Sequence, residues 1–465
     1  SIDTPHSGDD AAFYRLLGLL DRDFEGLGQA DGKARDTLRE RLARHFVQRR
    51  RPDIEEWQDD TRIFPRRETK ELTYRLTGPW EAFFQAVLDY CREVVAASGT
   101  DTNTQRLNFW GTLALLRCAA SSPAAAVLAL RTRAGKEDDD RHALLDQLFD
   151  GEADALSQDD LEPATTLDDP ALADLVTRAQ ALLGSTGDPK LRLLIEHVQQ
   201  LLRDGFSPVV FCRYIATAHY LHRSLSAAFK DTRVAVATGE DAADVRAATV
   251  ESLADEERCV LVATDCLSEG INLQQTFDAV VHYDLSWNPT RHEQREGRVD
   301  RFGQTSPKVR ATLMYGENNP VDGAVLEVIL RKAARIKQEL GVPVPMPDEG
   351  HTLSQALMRS VLLRKPEVGL SGGGAQGAFA FPGRWAEKSS LEASWQDAAE
   401  RAKATRTIFN QRRLRPAEVL PEWERARAVL GGDEDVRRFV DRALVRLGSG
   451  LEARLKGFRA PLAPL

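Results

Sequence analysis

Cysteine is scarce in this chain, with five in 465 residues: Cys91, Cys118, Cys212, Cys259 and Cys266. They are odd in number, widely spread and free of any CxxC pair. That argues against a disulfide framework or a thiolate zinc site and for a reducing, cytoplasmic compartment. Long apolar runs are also lacking. The longest candidate, Ala119 to Leu130, is Ala-rich and falls short of the roughly 18 residues a membrane helix needs, so no membrane partner is expected. The opening, Ser1-Ile2-Asp3-Thr4-Pro5-His6, has no basic region followed by an apolar stretch, and no secretory signal is expected. It has no initiator Met either, so a trimmed or fragmentary product is expected. His6 and His282 stand without metal-spaced partners, so no metal site is assigned.

What is present is ordinary in bulk, at 29% charged and 42% hydrophobic residues, as expected of a globular protein. The net charge of −9 exerts no global pull on nucleic acid, although a local field along a groove is what binding requires. Acid concentrates between Glu137 and Asp174, in Asp138-Asp139-Asp140, Asp159-Asp160 and Asp168-Asp169. This reads as a solvated surface.

Along the chain, residues 10–30 hold a short amphipathic helix, and Lys33 to Arg51 an arginine-rich one. Glu68 to Leu76 alternates like a strand. Residues 79–131 read as two long helices split by the polar segment 98–103. Leu191 to Leu202 is a helix with Leu191, Leu194, Ile195, Val198, Leu201 and Leu202 on one face. Short apolar runs then alternate with helical segments: Val209–Cys212, Val234–Ala237, Cys259–Ala263, Ala279–Tyr283 and Val309–Tyr315. Continuous hydrophobicity marks strands covered on both faces, and the intervening helices make them parallel. The fold class expected is α/β, a RecA-like parallel lobe flanked by helical N- and C-terminal regions. A helix is expected over Val321 to Leu340. Beyond it lie the breaker Val342-Pro343-Val344-Pro345-Met346-Pro347, a Gly-rich link at 369–377 and further helical segments from about 387.

The densest chemistry is Gln294-Arg295-Glu296-Gly297-Arg298-Val299-Asp300-Arg301-Phe302-Gly303-Gln304. On a helix, Gln294, Arg298 and Arg301 share one face at i, i+4 and i+7. Two guanidinium groups so placed can converge on a phosphate chain with bidentate geometry. Gly297 in mid-helix costs about 1 kcal/mol against Ala, so a close backbone approach is expected there. Read alone, the stretch also fits a solvated helix laced with Arg–Glu and Arg–Asp pairs. Its partner stretch is Leu261-Val262-Ala263-Thr264-Asp265-Cys266-Leu267-Ser268-Glu269-Gly270-Ile271-Asn272-Leu273. It follows a buried strand, and so reaches the sheet edge where open α/β sheets bind ligands.

Together the two stretches resemble motifs V and VI of superfamily 2 helicases. The wording of 263–274 and 287–304 is similar to the bacterial Swi/Snf-type branch that includes the RNA-polymerase-associated RapA (HepA) proteins; phage-defence helicases of similar build are related. Val209-Val210-Phe211-Cys212-Arg213-Tyr214 resembles motif IV, and Thr238-Gly239 with Arg246 the segment after it. Thr4-Pro5-His6-Ser7-Gly8 resembles motif III, with Ile2 and Asp3 where the family has Thr and Ala. The resemblance covers about residues 1–20, 45–77 and 190–316.

It implies Arg298 and Arg301 as arginine fingers, with Gln294 at the nucleotide cleft. Gly270 and Asn272 would lie near the nucleotide, and Arg213, Thr238 and Thr264 would hold the sugar-phosphate backbone. Arg295 is expected to be structural. The implied cofactors are ATP and Mg. The implied partners are nucleic acid, double-stranded DNA first, a first RecA-like lobe, and RNA polymerase or another DNA-bound complex. The domain reading is 1–30 as the tail of a first lobe, 31–188 as a mostly helical linker with the acidic loop, 189–320 as the second lobe and 321–465 as a helical extension.

No GxxxxGK[ST] occurs in the chain. Asp348-Glu349-Gly350-His351 mimics a DExH box, but its proline-rich approach cannot join a central strand. Without a loop to cradle phosphates and a carboxylate for Mg²⁺, the chain alone is expected to be inactive as an ATPase. Two readings follow: the C-terminal part of an ATP-dependent helicase or translocase, or a non-catalytic nucleic-acid-binding or interaction module from a split helicase. Weaker signals are Arg41, Arg44, Arg49, Arg50 and Arg51 as phosphate contacts or a solvated face. Trp110, Trp287, Trp385, Trp395 and Trp423 read as packing residues before base-stacking ones.

Overall fold

In the computed structural model the described residues are 10–30, 32–42, 65–97, 102–134, 170–267, 271–286, 289–301, 303–324, 432–454 and 457–460, with isolated positions 326, 425 and 429. The motif III-like opening, the acidic segment over 137–169, the DExH mimic and the Gly-rich link lie outside them.

Every apolar run read as a strand forms one. The strands are β1 (Arg66–Tyr74), β2 (Pro208–Phe211), β3 (Arg233–Ala237), β4 (Cys259–Ala263), β5 (Ala279–His282) and β6 (Lys308–Gly316). They make one six-stranded sheet in the order β1-β6-β5-β2-β4-β3, and every neighbouring pair is parallel. The fold is a RecA-like α/β lobe.

Why the runs are continuous rather than alternating is visible in the packing. Val209, Phe211, Leu261, Ala263, Val280 and Val309 fall in one core. Val210, Val260, Val262, Val281 and Met314 fall in the other. Successive side chains point to opposite faces, and both faces are covered, so neither parity of position is free to be polar.

β1 is the exception. Only its last residue, Tyr74, is buried, while Arg66, Arg67, Lys70 and Glu71 are exposed. Charge on an edge strand blocks further pairing. Residues 66–74, which the sequence assigned to a helical linker, therefore belong to the lobe's sheet. They run in register with 308–316 along nine paired positions.

The helices are α1 (Asp10–Gly18), α2 (Gly32–Leu42), α3 (Pro79–Ala97), α4 (Thr102–Ser121), α5 (Pro123–Ala134), α6 (Pro170–Ala181), α7 (Pro189–Arg203), α8 (Ile215–Ala228), α9 (Ala243–Ser252), α10 (Pro289–Gly297), α11 (Pro320–Ala324) and α12 (Asp433–Arg446). The stretch expected as two helices over 79–131 is three. Ser122-Pro123 breaks it, because proline cannot continue the preceding helix but is suited to start the next. α7 shows how local signals place the lobe's first helix. Asp188 caps it by accepting the Leu191 N–H at 3.0 Å, with Pro189 in the first turn. Leu191, Leu194, Val198 and Leu201 are all fully buried.

α3 to α6 pack around Trp80, Phe83, Phe84, Leu113, Leu116, Leu130 and Leu175, in a core that also takes in Tyr74, Tyr214 and Leu285 of the lobe. No helix among the described residues is long and apolar enough to cross a membrane. Of the helix expected over 321–340, residues 321–324 and 326 are described, and of the C-terminal helical segments α12 and the isolated positions 425 and 429. α12 is followed by a small antiparallel hairpin of β7 (Glu452–Arg454) and β8 (Gly457–Arg459).

Candidate nucleotide and nucleic-acid edge

The strand order creates the site. The chain leaves β2 toward the β4–β3 side and leaves β5 toward the β6–β1 side. Their carboxyl ends, adjacent in the sheet, therefore open a crevice where open α/β sheets take ligands. Arg213 follows β2, Thr238 follows β3, Thr264 follows β4 and Asp284 follows β5, so all four stand on this one edge.

Backbone bonds extend the ladder there. The N–H of Cys212 donates to the Ala263 carbonyl (2.9 Å), that of Thr264 to Ala237 (3.2 Å) and that of Tyr283 to Phe211 (2.9 Å). Arg213 is half-buried, whereas Thr238 and Thr264 are buried. Thr238 is held by its N–H to the Asp241 carboxylate at 3.1 Å, and its hydroxyl lies 3.5 Å from Glu240 Oε2. The Thr264 hydroxyl sits 3.3 Å from Cys266 Sγ.

The arginine stretch differs from the sequence expectation. α10 ends at Gly297, and the chain then turns, with the N–H groups of Val299 and Asp300 both donating to the Glu296 carbonyl. Gln294, Arg298 and Arg301 do not share a helical face. The helix ends at Gly297, where glycine's high backbone entropy weakens its continuation. Arg298 is buried, and its carbonyl accepts the Leu273 N–H at 3.2 Å. Arg301 and Gln294 are half-buried.

Arg301 Nη1 donates to Asn272 Oδ1 at 2.7 Å, so the two stretches that carry the resemblance touch. Asn272 is neutral, so this bond orients the guanidinium without cancelling its charge. Gly270 lies outside the described residues.

The close approach expected at Gly297 is absent among the described residues: a Cβ there meets no heavy atom within 4 Å. Gly297→Ala should therefore raise stability by about 0.4–1 kcal/mol, through a less flexible unfolded chain. Thermal denaturation checks this, and a lower midpoint would reveal a contact that the crevice conceals.

Behind the edge lies a buried polar network that the pattern did not mark. Arg295, expected to be structural, is almost fully buried; its Nε donates to Asp265 Oδ1 at 2.6 Å and its Nη1 to the Asp284 carbonyl at 3.0 Å. Burial pushes the Asp265 carboxyl up, but Arg295, with Arg291 and Arg213 beyond it, outweighs that and holds it below the usual range.

His282 Nε2 lies 3.1 Å from Glu296 Oε1, and the other oxygen of that carboxylate, Oε2, pairs with Arg67 of β1. A carboxylate only accepts, so His282 carries its proton on Nε2, leaving Nδ1 to face Arg295 Nη1 at 3.5 Å. Burial, then His292, Arg295 and Arg67, hold His282 well below its ordinary value. Burial and then Arg295 bring His292 down to about 3. Both rings are neutral at neutral pH.

One cheap signal was available for this network. Lys190 sits in the first turn of α7, where the helix dipole disfavours a cation, so something else must require it. Arg41, weighed as a phosphate contact, is paired with Asp21 (2.5 Å) and Asp23 (2.9 Å). Arg44 and Arg49–Arg51 lie outside the described residues, as do Trp287, Trp385, Trp395, Trp423 and the Trp110 side chain. No cluster of metal-ligating side chains occurs among the described residues.

With that geometry in place, comparison with known proteins is decisive for one segment. Residues 189–303 match the helicase conserved C-terminal domain. The chain carries a helicase C-terminal domain.

Among curated proteins, it is 56% identical over 45 residues to the uncharacterized ATP-dependent helicase YqhH of Bacillus subtilis (strain 168), which covers 10% of this chain and 8% of the relative. It is 35% identical over 107 residues to the probable ATP-dependent DNA helicase CHR12 of Arabidopsis thaliana, 23% of this chain and 9% of that protein. It is 26% identical over 171 residues to the probable ATP-dependent RNA helicase DDX52 of Bos taurus, 36% of this chain and 26% of that protein. The matches thus span 8–26% of the length of these relatives. Among solved structures, it resembles the SWI2/SNF2 ATPase core of Sulfolobus solfataricus in complex with dsDNA, at 15% identity and a TM-score of 0.40, over 72% of this chain and 56% of that one.

Proposed function

We propose that this chain is the C-terminal part of an ATP-dependent Swi/Snf-type helicase or DNA translocase of the RapA/HepA-like kind. In this reading the helicase C-terminal domain closes against a first RecA-like lobe that carries the phosphate loop. The observation that carries the reading is the bond between Arg301 and Asn272, which joins the two stretches that carry the resemblance.

The residues present suit a nucleotide's phosphates. Arg301 is half-buried, and its bond to the neutral Asn272 orients the guanidinium. Arg298, Gln294 and Gly270 would border the same nucleotide. ATP, with Mg held mainly by the first lobe, supplies the free energy that drives the cycle. This chain's own part is to bring positive charge to the phosphates, to hold a nucleic-acid backbone through Arg213, Thr238 and Thr264, and to change its contact with the first lobe as the cleft opens and closes. Backbone contacts of this kind position without reading sequence. The partner is double-stranded DNA, with RNA polymerase or another DNA-bound complex as the object remodelled, in the cytoplasm.

A second reading is a non-catalytic nucleic-acid-binding module. The two separate on one measurement. On the motor reading, the chain alone has no DNA-stimulated ATPase, and activity appears when a first lobe bearing GKT and DExH-like motifs is added. DNA binding with no ATPase in either case would leave only the module.

A further inference from the structure

Asp284 gathers four hydrogen bonds from three directions. Its Oδ2 accepts the Arg213 N–H at 2.9 Å and the Ser121 hydroxyl at 2.7 Å. Its Oδ1 accepts Lys190 Nζ at 2.8 Å, and its carbonyl accepts Arg295 Nη1 at 3.0 Å. The Lys190–Asp284 pair is shut away from solvent, with 2% and 8% of the side chains exposed. The other two donors of Lys190 go to the carbonyls of Ala120 and Ser121, each at 3.2 Å, so all three ammonium hydrogens have an acceptor. Ser121 and Ser122 also bond the Thr217 hydroxyl of α8, at 2.9 and 2.7 Å.

A buried ion pair is poor value as a source of stability, since apolar residues of similar volume serve as well or better. What this one supplies is direction. Arg213 stands in the short link Cys212–Tyr214 between β2 and α8, at the mouth of the crevice. A carboxylate reaching across from the end of β5 clamps its amide. The same carboxylate is anchored to the α4–α5 corner of the helical region.

We propose that Asp284 is a positioning residue for nucleic-acid engagement, fixing Arg213 at the sheet edge and tying that edge to the α4–α5 corner. The proposal rests on the reading of Arg213 as a backbone-phosphate contact.

The test uses the full chain and a fluorescently labelled DNA duplex, with affinity read by anisotropy across a salt series. Arg213→Ala should weaken binding by about tenfold, the size of one charged hydrogen bond, and flatten the salt slope by about 1. Asp284→Asn should do the same on both counts, and the double variant should be no weaker than Arg213→Ala by more than about twofold, because the two act as a unit.

The pair Asp284→Asn with Lys190→Met keeps an acceptor oxygen for the Arg213 amide and removes the stranded charge. It should return affinity to within about threefold of the parent chain. A merely structural role would leave the salt slope unmoved. If Asp284→Asn does not fold, Ser121→Ala is read in its place, since it removes one donor from the same oxygen, and it should weaken binding only where Arg213 is intact. Losses that add on the Arg213→Ala background, or an unchanged slope, overturn the proposal. Unchanged affinity in Arg213→Ala itself would instead remove the underlying reading of Arg213.

Discussion

Arg301→Ala, assayed with a first lobe supplied, should lower ATP turnover by about 10³-fold or more, the range measured for inserted arginines in phosphoryl transfer. DNA affinity should stay within about twofold, the scale of a lost surface contact away from the backbone-holding residues. The expectation comes from Arg301's half-buried position and its orienting bond to a neutral amide. Its loss should leave stability within about 0.5 kcal/mol, as for surface substitutions generally.

Arg298→Ala should also reduce turnover. Arg298 is buried, however, so this variant should lose stability as well, by about 1–3 kcal/mol. Urea denaturation beside the ATPase assay separates the two. Equal loss of turnover and DNA binding in Arg301→Ala would contradict the role proposed for it.

Arg295→Ala carries the other large effect, and it lies in the fold. Removing one member of a buried pair strands the other, which costs about 3–5 kcal/mol. Asp265 would then keep its burial and lose the guanidinium 2.6 Å away. The sign with pH follows. In the parent chain the Asp265 carboxyl sits below its usual range, so the pair's contribution is fully present above the unfolded carboxylate value of about 3.9 and fades as pH falls through the lower folded one.

In Arg295→Ala, burial raises Asp265 against only the weaker opposing pull of Arg291 and Arg213. The stability gap to the parent should therefore be widest near neutral pH and narrow as acid protonates the stranded group. Arg295→Met with Asp265→Asn should recover much of the loss. Denaturation midpoints at several pH values read all three. A gap independent of pH would mean that Arg295 acts through packing alone.

The lobe was legible because burial on both faces of a parallel sheet forces the same sequence signature on each strand. Five runs between 209 and 315 showed it, and each became a strand within a residue or so at either end. Glu68 to Leu76 also showed as a strand, but not as a member of this sheet. An edge strand is half solvated, its pattern is mostly polar, and nothing local says that it pairs with a partner more than two hundred residues away. The end of α10 was misread for a related reason. Arginines at helical spacing look alike whether or not the helix continues, and the Gly297 that ended it was taken as a sign of close contact.

The sequence by itself determined the class of fold, the order of strand and helix in the lobe, and the two stretches that meet through Arg301 and Asn272. Each of those follows from neighbours along the chain, where periodicity and short spacing operate. Only the tertiary structure decided which of these arginines are buried and which half-buried, that residues 66–74 join the sheet at its edge, and that Asp284 and Lys190 meet. A buried charge becomes tolerable only when partners from distant segments converge on it, and that convergence has no period for the chain to display.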